Sequence, residues 1–473
     1  MPSDGTTTID LYYRLISLGM DHDTTRQRRP APDGRPVALT VAGSDSGGGA
    51  GIQADLATMG AHGAWGTSAV TSVTAQHTRG VDSTHVLPPD EVAAQVDAVL
   101  DDFDVRAVKT GMLATAPVVE VVHERLATRD VPVVVDPVMV ATSGDRLLDR
   151  EAESAYEDLV ADAALVTPNA DEAAVLTGVE PTDVESARDA GADLVAMGAD
   201  AALVTGGHLD TEGVVDVLVT EDDSVVFEHP RIADAATHGS GCTLSAAIAA
   251  TLATGDDLVD AVESAVDFVA RAIRYHADVG ANGAVHHHVG VRNEAAARET
   301  IAGVEGVVDD LVGADASALI PEVGTNVVGA LPYAESVQET VAVDGRLARV
   351  HDGVRATGGV RFGASSHVAR FLLSAREYDP TLRFACNCRF DESIADAVDE
   401  LGWPSATYDR AEEPEDASTM HWAGRTTFGA AEETPVAVLD HGAHGKEPIC
   451  KLVAPDAETL SGRVLALLDA VEE

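Results

Sequence analysis

The sequence predicts an α/β protein: a mainly parallel sheet covered by helices on both faces, followed by a smaller α/β domain. Three observations carry this. From residue 37 to about residue 280, short continuous apolar runs alternate with stretches of helical periodicity. The runs show no apolar–polar alternation, as expected of strands buried on both faces in a parallel sheet. The third observation is length. The 473 residues exceed one ordinary core, and an Ala- and Glu-rich stretch at 293–306 precedes a second block that mixes helix and strand.

Val37–Ala42 is the first strand, 51–62 has helical spacing and 68–75 is β-rich. Residues 89–103 place Val92, Val96, Val99 and Leu100 on one face of an amphipathic helix. The runs 107–112, 131–138, 164–167 and Ala201–Val204 are strands that end in Thr, Gly, Asp, Asn or Pro, with helical segments at 117–126 and 147–160 between them. Residues 213–232 read as a β-hairpin, and 242–254 and 258–279 as helices. The second block is expected to hold helices at 368–376, 391–401 and 457–471 and strands at 340–343, 382–388 and 436–440. The predicted organisation is a weakly ordered polar extension at 1–36, a first domain at 37–292, a linker at 293–306 and a second domain at 307–473. No internal repeat or low-complexity tract is present.

Net charge is −48, from 79 acidic and 31 basic residues spread along the chain. Only three of the basic residues are lysines (Lys109, Lys446 and Lys451), against 28 arginines. A dispersed acidic surface almost without lysine points to adaptation to high salt, where self-repulsion is screened over about 3 Å. The lysines that remain should do something a planar guanidinium cannot. Nucleic acid is excluded as a partner, since it is bound by clustered cations. No apolar run reaches the roughly 20 residues of a membrane helix, and the first residues lack signal-peptide order, so a cytoplasmic location without membrane attachment is expected. Four cysteines (Cys242, Cys386, Cys388, Cys450) are too few and too irregular for a disulfide framework or a zinc site; Cys386 and Cys388 read as buried strand residues. The run His286–His288 suits a loop at a domain end better than a metal site.

In parallel sheets the ligand sits beyond the carboxyl ends of the strands, so the polar residues there are the candidates. Gly43-Ser44-Asp45-Ser46-Gly47-Gly48-Gly49-Ala50-Gly51 lies between a strand and a helix, but fits neither a P-loop nor a dinucleotide fingerprint. Thr237-His238-Gly239-Ser240-Gly241-Cys242 precedes a helix. The N–H groups of Gly239, Ser240, Gly241 and Cys242 would form an anion hollow at its positive end, suited to a transferring phosphoryl group. At that end Cys242 should have a lowered pKa and could act as a base; a tight turn with a buried cysteine is the competing reading. Asp136 ends one strand. Asn169 and Glu172, three apart at a helix start, could organise hydrated Mg²⁺. Thr205 and Gly207 offer a hydroxyl and backbone donors for nucleotide phosphates.

Six stretches, at 42–55 (AGSDSGGGAGIQAD), 70–81 (VTSVTAQHTRGV), 109–113 (KTGML), 133–148 (VVVDPVMVATSGDRLL), 166–178 and 238–247 (HGSGCTLSAA), resemble the hydroxymethylpyrimidine/phosphomethylpyrimidine kinase branch of the ribokinase-like superfamily. The resemblance covers about 240 residues, in order. It implies a ribokinase-like fold and ATP and Mg²⁺ as cofactors. Two phosphorylations would follow at one site, first of the hydroxymethyl oxygen and then of the resulting phosphate. It also implies Cys242 where most superfamily members have an aspartate base, Asn169 and Glu172 as the Mg²⁺/phosphate motif, and Asp55, Gln76 and Met112 lining the pyrimidine pocket, with Gly241 beside the substrate. Gln76 offers both a donor and an acceptor, which suits an aminopyrimidine edge. Thr142 stands where the family often has lysine, so a lid contact to phosphate would be missing or supplied by Arg146.

The second block carries IPEVGTN (320–326), Gly345-Arg346, FGASSHVA (362–369) and HGKEP (444–448). Arg346 as a fork and Lys446 as a point charge are natural pyrophosphate partners. His367, just before a helix, could bind phosphate or donate a proton; surface and helix-start roles are the competing readings. Residues 320–468 resemble the archaeal-type thiamine-phosphate synthase domain, which implies joining the pyrimidine pyrophosphate to thiazole phosphate. Under that resemblance Arg346 and His367 are the catalytic candidates, Lys446 and Asn326 the phosphate contacts, and a halophilic archaeon the expected source. The competing functions are a kinase with a non-catalytic thiamine-phosphate sensor and a pyridoxine kinase. The expected partners are small molecules only, with a homo-oligomer as the assembly.

Overall fold

The computed structural model describes residues 31–139, 154–207, 209, 211, 213–408, 419–443 and 445–472. Most of the expected extension, the lid candidates Thr142 and Arg146, and His444 lie outside these residues.

The first domain runs β1 (Val37–Ala42), α1 (Gly51–Ala61), β2 (Trp65–Val70), β3 (Ser72–His77), β4 (Gly80–Val86), α2 (Pro89–Asp102), β5 (Val105–Thr110), α3 (Ala116–Leu126) and β6 (Val133–Val135). It continues with α4 (Ala155–Ala161), β7 (Leu165–Val166), α5 (Ala170–Thr177), α6 (Val184–Ala196), β8 (Ala201–Val204), β9 (Val214–Thr220), β10 (Ser224–His229), α7 (Ser240–Thr254) and α8 (Leu258–Arg274). Among the described residues these strands form an eight-stranded sheet ordered β10-β9-β8-β7-β6-β5-β1-β2, and β3 and β4 form a separate ribbon. β1, β2 and β5 to β8 are parallel, while β9 and β10 add an antiparallel edge. The side chains explain the unbroken apolar runs. Leu39 and Val41 enter the core under α2, α3 and α4, whereas Ala38, just before Leu39, faces the core under α1, α7 and α8. Val133 and Val135 likewise oppose Val134.

The strand order reverses between β1 and β5. Loops leaving the carboxyl ends of these two strands diverge and leave a crevice, which is where a doubly wound sheet places its ligand. Gly43 and Gly111 begin those two loops.

The expected linker at 293–306 is a correction. Helices α9 (Val289–Ala295) and α10 (Ala297–Gly313) occupy it, separated only by Ala296. Ala and Glu are strong helix formers, and Val304, Val307, Val308 and Leu311 of α10 belong to the second domain's core. That domain continues with β11 (Val327–Ala330), β12 (Thr340–Val343), β13 (Leu347–Val350), β14 (Gly353–Ala356), β15 (Val360–Phe362), α11 (His367–Arg376) and β16 (Phe384–Arg389). It ends with α12 (Glu392–Glu400), β17 (Ser405–Tyr408), α13 (Thr419–Phe428), β18 (Ala437–Asp440), β19 (Ile449–Ala454) and α14 (Ala457–Glu472). The larger sheet, β15-β12-β11-β16-β19-β18-β17, is antiparallel except between β17 and β18. Cys386, Cys388 and Cys450 are buried in its core as free thiols.

The two domains meet along a polar seam. Arg271 of α8 donates to the Tyr333 carbonyl and to Glu339, and Asn293 Nδ2 donates to Glu339 Oε1 at 2.8 Å. The His286 ring of the histidine run packs on Tyr333, 5.3 Å between centroids, and His287 is buried behind it. Among the described residues, no helix is long and apolar enough to cross a membrane.

Candidate functional site

The two glycine segments meet at the crevice. Gly239, with φ +86°, caps α7, and a Cβ placed on it would stand 1.8 Å from the Gly49 carbonyl. Only glycine permits both that conformation and that approach. Asp45 accepts from the N–H groups of Gly47 (2.7 Å), Gly49 (3.1 Å) and Ala50 (2.8 Å), and its Oδ2 lies 3.3 Å from His238 Nε2. Burial alone would raise the Asp45 carboxyl; the His238 bond and the Gly47 and Ala50 amides more than offset it, so the carboxyl sits below its usual value. Asp45 thus ties one glycine loop to the other.

Below the crevice lies a buried charge cluster. Lys109 Nζ donates to both oxygens of Asp55, at 2.9 and 3.0 Å, and lies 3.8 Å from Asp136 Oδ2. Thr40 Oγ1 donates to Asp55 at 2.6 Å. Ser245 Oγ is 3.1 Å from Asp136 and 2.9 Å from the Gly241 carbonyl, joining the cluster to the first turn of α7. Asp55, expected to line the pyrimidine pocket, is completely buried, with its oxygens engaged by Lys109 and Thr40. Lys109 was marked by the scarcity of lysine, but nothing local in the sequence named partners 54 and 27 residues away.

Cys242 requires a second correction. The residue is half-buried, and the Gly51 N–H bonds to its thiol. Burial pushes the thiol up to about 12; Lys109 and the Gly51 N–H oppose this, but Asp55 and Asp136 add to it. The helix end, worth at most about 2 kcal/mol, is outweighed, so the expected lowered pKa is not found. Ser240 also departs from expectation, because its N–H is used by the Thr237 carbonyl at 3.0 Å rather than held for an anion. Gly241 is exposed in the first turn of α7.

Asn169 and Glu172 form a capping box. Asn169 Oδ1 accepts from Glu172 N and Glu172 Oε2 accepts from Asn169 N, both at 3.0 Å. Glu172 Oε1 also accepts from Met139 N at 3.3 Å. Burial and the neighbouring Asp136 push Glu172 up to about 8. Burial likewise raises Asp136, which Lys109 and Ser245 oppose. Asn169 bridges to Thr205 across the ends of β7 and β8, and the Gly207 carbonyl, just beyond, accepts from Arg231 at 2.8 Å. Among the described residues, no group of three His, Cys, Asp or Glu side chains could hold a metal by itself. A Mg²⁺ that keeps its waters and rides on nucleotide phosphates needs no such cage. Lys109 offsets part of the Asp136–Glu172 repulsion and a nearby cation would offset more of it, so the donor set fits an ion held through water.

Gln76 lines a cavity of about 220 Å³ together with Thr237 and His238. Its Oε1 accepts from Thr74 Oγ1 at 3.2 Å. Met112 is not among the residues lining this cavity; it is buried beside the first glycine loop, its sulfur 3.2 Å from the position of a Cβ on Gly43.

Residues 45–288, just over half of the chain, match the family model for phosphomethylpyrimidine kinase. The chain belongs to that family. Residues 303–466 match the model for thiamine-phosphate synthase ThiN, so the chain carries a kinase domain followed by a thiamine-phosphate synthase domain. The kinase part is 49% identical over 239 residues to the hydroxymethylpyrimidine/phosphomethylpyrimidine kinase of Streptomyces coelicolor, covering 50% of this chain and 88% of that protein. It is 47% identical over 262 residues to the thiamine biosynthesis bifunctional protein ThiED of Geobacter sulfurreducens, covering 55% of this chain and 54% of that one. The chain therefore spans about half the length of that bifunctional relative. The ADP complex of Bacillus subtilis pyridoxal kinase superimposes with a TM-score of 0.51 at 34% identity, covering 54% of this chain and 98% of that one. The kinase domain thus has the ribokinase-like fold. The higher identity to pyrimidine kinases leaves the pyridoxine-kinase reading unfavoured, and the synthase match does the same for the sensor.

In the synthase domain the loops carrying the candidates converge. Both oxygens of Glu447 accept from loop 320–326, from Glu322 N at 2.8 Å and Val323 N at 3.1 Å. That loop reaches Arg346, whose Cβ is 3.0 Å from where a Cβ on Gly324 would sit. Arg346 and Lys446 are exposed at this end of the sheet. His367 is the exposed first residue of α11, whose last residue Arg376 is tied to the Pro332 and Leu382 carbonyls. Asn326 does not fit a phosphate contact. Its side chain donates to the Val343 and Gly345 carbonyls at 3.2 and 3.1 Å and accepts from Val343 N at 3.2 Å, so it fastens β11 to the end of β12. A cluster absent from the sequence reading lies nearby. Lys451 Nζ donates to Tyr408 OH at 2.9 Å, Tyr408 OH donates to Asp440 Oδ2 at 2.6 Å, and all three residues are buried.

Proposed function

We propose that the kinase domain transfers the γ-phosphoryl group of ATP to the hydroxymethyl oxygen of 4-amino-5-hydroxymethyl-2-methylpyrimidine, and a second one to the phosphate so formed. In each transfer the β–γ bond of ATP breaks, ADP leaves and a new P–O bond forms. The synthase domain then joins the pyrophosphate ester to thiazole phosphate and releases pyrophosphate. The observation that carries the reading is the meeting of the two glycine loops over Cys242 at the reversal of strand order.

Gln76 pairs with the aminopyrimidine edge and Met112 packs on the ring. Asp55 acts from below by fixing Lys109. The thiol of Cys242 keeps its proton at ordinary pH, so it orients the acceptor hydroxyl by hydrogen bonding, and the hydroxyl's proton passes to an oxygen of the transferred phosphoryl group as the new P–O bond forms, which a largely dissociative transfer allows. Gly239 and Gly241 shape the phosphate hollow, with Ser240 holding the turn; Thr205 and Gly207 lie on the nucleotide side. Mg²⁺ would sit near Asp136, Asn169 and Glu172 through water and would supply charge neutralisation. Arg346 and Lys446 take the pyrophosphate, and His367 acts as a catalytic group from the start of α11. The acidic surface suits a high-salt, archaeal setting.

The test incubates the whole chain with ATP, Mg²⁺, hydroxymethylpyrimidine and thiazole phosphate at high salt. Pyrimidine phosphate, pyrimidine pyrophosphate and thiamine phosphate are the expected products. A second arm supplies pyrimidine pyrophosphate and thiazole phosphate without ATP; no thiamine phosphate there would reduce the second domain to a sensor.

A further inference from the structure

The cavity that holds Gln76 is also lined by Arg79 at the tip of the β3–β4 ribbon, with His77 beside it and His238 opposite. His77 lies 3.8 Å from Asp82 and His238 lies 3.3 Å from Asp45. The Arg79 guanidinium, in contrast, has neither an ion pair nor a hydrogen bond among the described residues, although the chain holds 79 acidic residues. Its position is nevertheless fixed. Thr78 accepts from Ala281 N at 3.0 Å through its hydroxyl and from Asn282 Nδ2 at 2.9 Å through its carbonyl, and a Cβ on Gly280 would stand 2.6 Å from that hydroxyl. The ribbon tip is therefore latched onto loop 280–282, and the latch holds Arg79 at the cavity wall.

A phosphate dianion entering a protein of net charge −48 is repelled over most of the surface, so a pocket that admits one must be locally positive. This wall is. It is also remote from the nucleotide side. Thr205 follows β8, four strand spacings from β1, or about 19 Å at the usual separation of sheet neighbours. An anion in this cavity therefore belongs to the acceptor and not to ATP.

Resting on the kinase reading above, we propose that Arg79, seconded by His77 and His238, recognises the phosphate of the phosphorylated pyrimidine and so selects the acceptor of the second transfer. The alcohol accepted in the first transfer carries no such charge and does not need this contact.

The test compares the whole wild-type chain with Arg79→Gln and Arg79→Lys at one fixed salt concentration. KM and kcat are measured separately for hydroxymethylpyrimidine and for its phosphate, and binding of the phosphate ester without nucleotide is followed by calorimetry. Arg79 is exposed, so both variants should melt with the wild type. Loss of a charge-assisted bond should raise KM and Kd for the phosphate ester at least ten-fold. KM for the alcohol should stay within about two-fold of wild type, and Lys should recover part of the loss. Equal changes for both acceptors, or none for the phosphate ester, would overturn the inference while leaving the kinase reading intact. A wild-type chain that phosphorylates neither acceptor would overturn both.

Discussion

Replacing Lys109 with Met should destabilise the kinase domain severely. The ammonium is fully buried, donates to both Asp55 oxygens and lies 3.8 Å from Asp136. Its removal leaves two buried carboxylates without a counter-charge. Breaking one side of such a pair costs about 3–5 kcal/mol. For a domain of this size, each kcal/mol lowers Tm by roughly 2–4 °C, so the loss should be about 6–20 °C. Calorimetry of the whole chain reads it. The shift should persist at molar salt, because a buried pair is hardly screened, in contrast to the acidic surface. The double variant Lys109→Met, Asp55→Leu should recover part of the loss, since it removes the orphaned charge. A single variant that melts within 2 °C of wild type would refute the reasoning.

Three further outcomes follow from the site. Iodoacetamide should modify one cysteine, Cys242, because the other three are buried, and at pH 8 it should do so more slowly than free cysteine, since burial pushes the thiol up to about 12; mass spectrometry reads the site and rate, and faster modification contradicts the assignment. Glu172, pushed up to about 8 by burial and Asp136, keeps its proton in the folded chain over a range where the unfolded chain has lost it. Stability should therefore fall as pH rises from about 4.5 to 8, and Glu172→Gln should flatten that slope in melts run with a chelator; an unchanged slope would count against the shift. Gly239→Ala places a Cβ 1.8 Å from the Gly49 carbonyl at a positive φ, so both phosphorylations should drop at least a hundred-fold, while thiamine phosphate should still form from supplied pyrimidine pyrophosphate.

The parallel sheet was readable because adjacent residues such as Ala38 and Leu39 enter opposite cores, which leaves an unbroken apolar run. The glycine loops were readable for a similar reason: their glycines are required by contact, and glycine is visible in a string. What the sequence hid was long-range. Asn169 and Glu172 have the spacing of a capping box and of a metal motif alike, and only the bond geometry shows that the capping box forms. Cys242 looked activated because its own helix was the only electrostatic source in view; the opposing carboxylates come from α1 and from the end of β6. The Ala- and Glu-rich linker was misread through composition, since the same residues that suggest a tether also build α10. Asn326 sits in a motif that suggested phosphate, yet its side-chain bonds go to the neighbouring strand end.

The distribution of the three lysines has a practical consequence. Lys109 is fully buried and Lys451 is 3% exposed, which leaves Lys446 as the exposed primary amine among the side chains. Among its lysines, an acylating reagent applied to the folded chain will therefore mark the synthase loop. Shielding of that single mark by a bound pyrophosphate would give a footprint of the second site without any enzyme assay.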